Sequence, residues 1–203
     1  MKRVVSIFIK LAELIAEFPL DVSVASGAGF ASLTIRPHER DFAKLIGGHG
    51  QIHLSMTAIG KLMGQANGFQ FIYNSLQEPN RTEPRLAIPA SAKGTFLPNP
   101  NWPRGRIALV LKEVAEEMFG GYVTLDSTDI ESAHKTIFEL IIEGEKLNAL
   151  EVASIQIAMD KVFDAIGRRV GRKLQVVLTY QRRQPEPPQP KSADGRYART
   201  KQT

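Results

Sequence analysis

Residues 47–50 read Gly-Gly-His-Gly, and a second histidine, His53, follows the first at a spacing of four. Two chemistries arise from those residue types. On a helix, His49 and His53 share one face, the spacing that lets two imidazoles reach one metal ion, and His38 is near in sequence. No third ligand has an evident place, however, and no HExxH glutamate lies between them, so solvent-facing histidines are expected and no metal. The glycines point elsewhere. Each weakens a helix interior by about 1 kcal/mol relative to alanine, so either the chain turns sharply there or something comes close to its backbone. "IGGHGQ" is not a phosphate-binding P-loop, since no GK[ST] follows. No Ser-His-Asp arrangement is argued by the sequence, and Glu116, Glu117, Asp126 and Asp129 read as a solvated acidic face. No cofactor and no enzymatic activity are expected.

The elements that must position this turn follow from hydrophobic periodicity. Val4, Phe8, Leu11, Leu14, Ile15 and Phe18 mark one face of a first helix, which Pro19 ends. "DVSVAS" and "FASLTIRP" alternate as strands around Gly27 and Gly29. A short helix from about Asp41 to Ile46 leads to the glycine turn, and a second helix carries Ile52, Met56, Ile59 and Met63 at core spacing. "GFQFIYNSL" closes as a strand. The order is α-β-β-α-α-β, an α+β unit in which a small three-stranded sheet packs on helices.

The 203 residues hold 43% hydrophobic residues, enough for real cores, and no cysteine, which excludes a disulfide framework, thiolate zinc sites and cysteine nucleophiles. The basic, apolar start "MKRVVSIFIKLAELIAEF" is interrupted by Lys10, Glu13 and Glu17 at helical spacing. It therefore reads as an amphipathic helix and not a signal peptide, and no stretch approaches the roughly 20 apolar residues that span a bilayer. A cytoplasmic location away from membranes is expected. The net charge of +5 is unevenly spread: +2 over 1–74, +3 over 75–106, −4 over 107–180 and +4 over 181–203. Ten of the twelve prolines fall in 75–106 or 181–203. These stretches read as a Pro-rich linker and a disordered basic tail around two units, 1–74 and 107–180. Trp102 in the linker is expected to dock on a unit; stacking on a base is the alternative.

The stretch "RPHERDFAKLIGGHGQIHLSMTAIGKLMG", in which Ile-Gly and a G-x-x-G loop stand between two helices with strands on both sides, resembles the type II KH domain. Over its whole length the first unit is similar to the small bacterial single-KH RNA-binding proteins (KhpA type). The resemblance implies single-stranded RNA as the ligand, with Gly47, Gly48, His49 and Gly50 as the loop. Phosphates would approach backbone N–H groups at the following helix N-terminus, where the helix dipole favours anions. Bases would lie across an apolar groove floored by Leu45 and Ile46 and walled by Ile52 and by an edge strand around Leu33 and Ile35. Lys44 and Gln51 flank the loop, and KH domains clamp about four nucleotides this way. The loop's middle positions, often basic in the family, are here Gly48 and His49, so Lys44, Lys61, the linker arginines and the tail must supply positive charge. Such help is sequence-tolerant and lost as salt rises.

The second unit reads as a degenerate copy. A shift of 107 lays "AIGKLMG" (58–64) on "AIGRRVG" (165–171), Leu33 and Ile35 on Leu140 and Ile142, and Tyr73 on Tyr180. "FIKLAELIAEF" pairs with "LVLKEVAEEMF" at a shift of 101. The same α-β-β-α-α-β order is expected, but the glycine loop falls on Ser154–Ile157, within an uninterrupted helical pattern. With a net −4 this unit is read as structural or protein-binding, packing on its twin, on itself as a dimer, or on another protein. Arg168, Arg169, Arg172 and Lys173 read as complements to a helix C-terminus. The function expected is RNA binding by the first unit; the alternative is an interaction or dimerisation scaffold with little RNA binding.

Overall fold

A computed structural model of the protein describes residues 1–75, 102–120, 122–143 and 149–181. Most of the expected Pro-rich linker and nearly all of the basic tail lie outside the described residues.

The first unit has the expected order. Helix α1 (Lys2–Ile15) is followed by β1 (Asp21–Gly27), β2 (Phe30–Arg36), α2 (Glu39–Ile46), a single 3₁₀ turn at Gly48–Gly50, α3 (Gln51–Ala66) and β3 (Gln70–Ser75). The second unit comprises α4 (Arg104–Phe119), β4 (Tyr122–Ile130), a 3₁₀ turn at Glu131–Ala133, β5 (Lys135–Glu143), α5 (Ala149–Val170) and β6 (Lys173–Gln181). Two helices were expected between its last strands; the described residues hold one, of 22 residues. No glycine falls between Ala149 and Ile166, so the apolar period runs on without the break that the first unit has at Gly47–Gly50. Each sheet has three strands, ordered β1-β2-β3 and β4-β5-β6, with an antiparallel hairpin and a parallel third strand. The α+β class with two small sheets packed on helices is therefore as expected.

The duplication is present, but its register differs from the one the sequence suggests. The buried residues Val4, Ile7, Phe8, Leu11 and Ala12 of α1 have buried counterparts Ile107, Val110, Leu111, Val114 and Ala115 in α4. Ile52, Met56, Ile59 and Met63 of α3 correspond likewise to Ile155, Met159, Val162 and Ile166 of α5. Every pair is 103 residues apart. Local geometry repeats at the same offset: the amide of Phe69 donates to the Gly64 carbonyl at 2.9 Å, and the amide of Arg172 donates to the Gly167 carbonyl at 3.0 Å. Gly68 and Gly171 both take positive φ just beyond their helices, the left-handed stop that favours glycine. "AIGKLMG" and "AIGRRVG" thus match one helical turn out of register, and Leu109, which the shift of 101 lays under the buried Phe8, is exposed.

Side-chain volumes trade places between the copies. A Cβ on Gly60 would come within 2.5 Å of the Phe71 ring, and Phe8 packs against Phe71 and Tyr73 in tilted pairs with centroids 4.9 Å apart. In the second unit Leu111 and Leu174 stand where Phe8 and Phe71 do, and Phe163 replaces Gly60, so volume is redistributed and the core stays filled.

The two units share one apolar core. Contacts join α1 to α4, α3 to α5, α3 to α4 and α1 to α5, the set expected when a two-fold axis exchanges the units. The ion pairs agree: Arg3 meets Glu116 at 3.3 Å, and their counterparts Arg106 and Glu13 meet at 2.8 Å. Lys10 meets Glu113, its own counterpart, at 2.8 Å, so this pair straddles the axis. Ala58, Leu62 and Gln65 of α3 line one cavity with Ser154 and Ile155 of α5, which sets the two helices antiparallel.

Charged residues near the second sheet are more occupied than expected. Arg172 is buried; its guanidinium donates to Thr136 Oγ1 at 2.6 Å and to Glu131 at 2.9 Å, lies 3.5 Å from Asp129 and sits 5.4 Å above the Trp102 ring. Trp102 accordingly docks on the second unit. Asp129 also meets Arg104, and Glu117 is buried against Arg3 at 2.8 Å, so neither belongs to a solvated acidic face.

Because one core serves both units, Met56→Ala and Met159→Ala should each cost about 2–5 kcal/mol and move a single cooperative urea transition. Two transitions, of which a given substitution moves only one, would show that the units unfold separately.

Candidate nucleic-acid interface

The glycine turn is held from below by a buried carboxylate. Asp41, fully buried on α2, accepts the amides of Glu17 and Phe18 just beyond α1, each at 2.8 Å, and the Lys44 ammonium at 3.1 Å. Burial by itself would raise the Asp41 pKa, but the Phe18 amide, Lys44 and the Glu17 amide outweigh it and hold the carboxyl below its ordinary value. Lys44 also reaches Glu17 at 2.8 Å. Burial lowers its pKa, and the bonds to Glu17 and Asp41 more than restore it, so the ammonium stays charged. At the other end of α2, His38 caps the helix, its Nδ1 accepting from the Arg40 amide at 3.3 Å, while its ring stacks on Phe18.

Within the turn the three glycines differ in what they owe to the fold. Gly47 has φ 73° and ψ 172°, and a Cβ there would meet the Ile52 side chain at 2.6 Å. Gly50 has φ 75° and ψ 9°, left-handed, with open space about it. Both are demanded by the backbone. Gly48 has an ordinary φ and nothing within 4 Å of an added Cβ, so packing asks for no glycine there. His49 is left-handed at φ 54° and exposed. Helix α3 starts from this turn with no capping side chain and no acidic residue in its first turn, so its positive dipole end is not neutralised locally.

The expected groove is placed differently. Leu33 and Ile35 lie on β2, the central strand, and with Leu45 carry no exposed surface; Ile52 is nearly as buried. These four hold α2 and α3 to the sheet and wall no groove. Alternating apolar residues reveal a buried strand face but do not distinguish a central strand from an edge. Lys44, Ile46, Gly47 and Gly50 are half-buried, and Gly48, His49 and Gln51 are exposed, so these seven form the accessible part of the predicted set. A groove runs instead between α3 and the edge strand β3; its lining begins at Thr57, about two helical turns beyond Gly50. It has a volume of about 460 Å³ and is lined by Thr57, Lys61, Gln65, Phe71, Ile72 and Tyr73. Of these, only Lys61 was singled out from sequence.

The second unit closes the corresponding groove. Gln156, counterpart of His53, accepts the Leu178 amide at 3.1 Å and donates to the Val176 carbonyl; Asp160, counterpart of Thr57, accepts the Val176 amide at 3.4 Å. Two side chains of α5 thus occupy the outer edge of β6. In the first unit the Thr57 hydroxyl turns back to the His53 carbonyl at 2.9 Å, and among the described residues no side chain caps the β3 amides of Tyr73 or Ser75. Gln156 and Asp160, where the first unit has His53 and Thr57, are the residue changes that separate the copies.

His53 is not solvent-facing. It is half-buried, its Nδ1 lies 2.6 Å from Ser75 Oγ, and its ring packs on Tyr73 with centroids 5.0 Å apart. Burial pushes its pKa below the ordinary imidazole value and that of the Tyr73 phenol up to about 12. His49 and His53 therefore face different surroundings, and among the described residues no group of three or more His, Asp or Glu side chains is placed to hold a metal ion.

No protein-family model matches the chain, and no curated protein matches it. No described helix is long and apolar enough to cross a membrane.

Two substitutions separate the glycine roles: Gly47→Ala should lower the melting temperature by several degrees, whereas Gly48→Ala should stay within about 0.5 kcal/mol of wild type in urea. For His53, a depressed folded-state pKa means that its contribution is complete above the unfolded value of about 6.5 and is lost as pH falls below it. Between pH 7.5 and 5.5 the wild type should lose more stability than His53→Gln; equal losses would remove His53 from the account.

Proposed function

We propose that the protein binds single-stranded RNA, with the backbone phosphates at the Gly47–Gly50 turn and the bases along the groove between α3 and β3. Gly48 carries this reading: the fold does not require a glycine there, whereas a phosphate approaching the amides at the start of α3 requires clearance. The uncapped helix end supplies an unneutralised positive pole, Lys61 lines the groove with a cation, and the β3 edge, on which no described side chain caps the Tyr73 or Ser75 amide, supplies backbone donors and acceptors. Together with the resemblance of the turn and its flanking helices to a type II KH domain, these features favour a single strand over a duplex, whose bases are stacked and paired. The second unit, its edge occupied and its turn replaced by helix, is the structural partner of the first, which accounts for the scaffold-like character of its sequence within one chain. On this reading the protein has no enzymatic role and acts in the cytoplasm.

The test uses the full chain, since the units share a core. Gly48→Asp/His49→Asp places two negative charges where phosphate should sit, at exposed positions where folding survives. Binding to short single-stranded RNA of randomised sequence should fall at least ten-fold, with an unchanged melting temperature. Equal binding by wild type and variant, or no binding by either, would sink the proposal.

A further inference from the structure

The pseudo-two-fold has a consequence for the surroundings of the glycine turn. In the cavity of about 660 Å³ between the units, Ala58, Lys61, Leu62, Gln65 and Ala66 of α3 face Glu151, Ser154 and Ile155 of α5, beside Met118 and Phe119 at the end of α4. Exchanging the units at the offset of 103 carries the α3 group onto Lys161, Asp164, Ala165, Arg168 and Arg169 of α5. It carries Glu151, Ser154 and Ile155 onto Gly48, Gln51 and Ile52, and the end of α4 onto the end of α1. The twin of the cavity is therefore the flank of the glycine turn, built by the C-terminal half of α5. One contact on that flank supports the exchange independently: the Arg169 guanidinium donates to the Glu13 carbonyl near the end of α1, the same helix end whose Glu17 holds Lys44 beside the turn.

The two flanks differ in charge. The first sets Lys61 against Glu151; on the second, α5 itself contributes Lys161, Arg168 and Arg169 with one acidic residue, Asp164, and the facing residues 47–52 include no acidic one. Lys161, Arg168 and Arg169 are exposed; Asp164, one turn before Arg168, pairs with it, and the Glu13 carboxylate near Arg169 pairs with Arg106. Three cations and one anion exceed what the C-terminal dipole of a single helix calls for. They also lie in a unit that is otherwise acidic.

Resting on the RNA reading above, we infer that α5 supplies the second half of the phosphate track: the strand that crosses the Gly47–Gly50 turn continues onto Lys161 and Arg168, with Arg169 fixing the helix end to α1. The basic residues missing from the middle of the loop would then be provided by the neighbouring unit, which explains how a uniformly uncharged turn retains an anion.

The experiment titrates the full chain with short randomised single-stranded RNA at several salt concentrations and compares wild type, Lys161→Gln/Arg168→Gln, Gly48→Asp/His49→Asp, and Lys135→Gln as a basic control on β5. Losing two phosphate contacts should weaken binding about ten-fold and flatten the log–log salt slope by about 1.4, since each contact to a single strand contributes roughly 0.7. Lys135→Gln should bind as wild type. If the 48/49 variant loses binding while the 161/168 variant keeps wild-type affinity and slope, the inference falls and the turn remains the site. If Lys135→Gln loses as much as the 161/168 variant, the effect is one of general charge and the inference falls. Wild-type binding by the 48/49 variant overturns the RNA reading at the turn, and this inference with it.

Discussion

Antiparallel packing of α3 on α5 across a pseudo-two-fold axis is the constraint on which the rest of the molecule depends. Each small sheet covers one side of its helices and leaves the other side apolar, and a unit of about 75 residues buries too little surface to be robust alone. Setting the two helix layers against each other removes both apolar sides from water in one step. The ion pairs Arg3–Glu116 and Arg106–Glu13 then ring the same joint from opposite ends. They are exposed enough to define register more than to contribute stability.

Within that frame the glycine turn is a local exception with its own support. Glycine takes the positive φ at positions 47 and 50 freely, and His49 is the one non-glycine held there; Asp41, six residues before Gly47, ties the preceding helix α2 to the end of α1 through its buried carboxylate. The arrangement places a stiff, sparsely covered backbone at the start of a 16-residue helix. The second unit shows the chain without this exception: lacking the glycines, the same region winds into helix, and Gln156 and Asp160 occupy a strand edge whose counterpart in the first unit no described side chain caps.

Much of the fold was legible in the sequence because it rests on periodicity. Ile52, Met56, Ile59 and Met63 announce the buried face of α3, and the duplicated pattern the presence of two like units; the first helix, by contrast, stops at Ile15, four residues before the expected breaker Pro19, and leaves Phe18 outside it. The register of the duplication was not legible, because "AIGKLMG" and "AIGRRVG" share letters a turn apart, while the true counterparts share burial and differ in kind, as Gly60 and Phe163 do. The edge-strand wall of the groove was misread for a related reason: Leu33 and Ile35 alternate as any half-covered strand does, and only pairing partners reveal that β2 is central. His53 was read as solvent-facing and Arg172 as a complement to a helix C-terminus because polar type alone says nothing of the aromatic ring each of them packs against.

Lys10 and Glu113 occupy the same position in the two copies and meet on the axis. If a unit associated with another of its own kind through this surface, the axis would bring lysine to lysine or glutamate to glutamate. Opposite charge there makes the joint selective for unlike halves, and the tether between them keeps the proper pairing at high effective concentration. Such a joint lets one half drift in sequence without consequence for self-association, so the copies have become non-interchangeable: one keeps an exposed edge and a bare turn, and the other serves as its permanent wall.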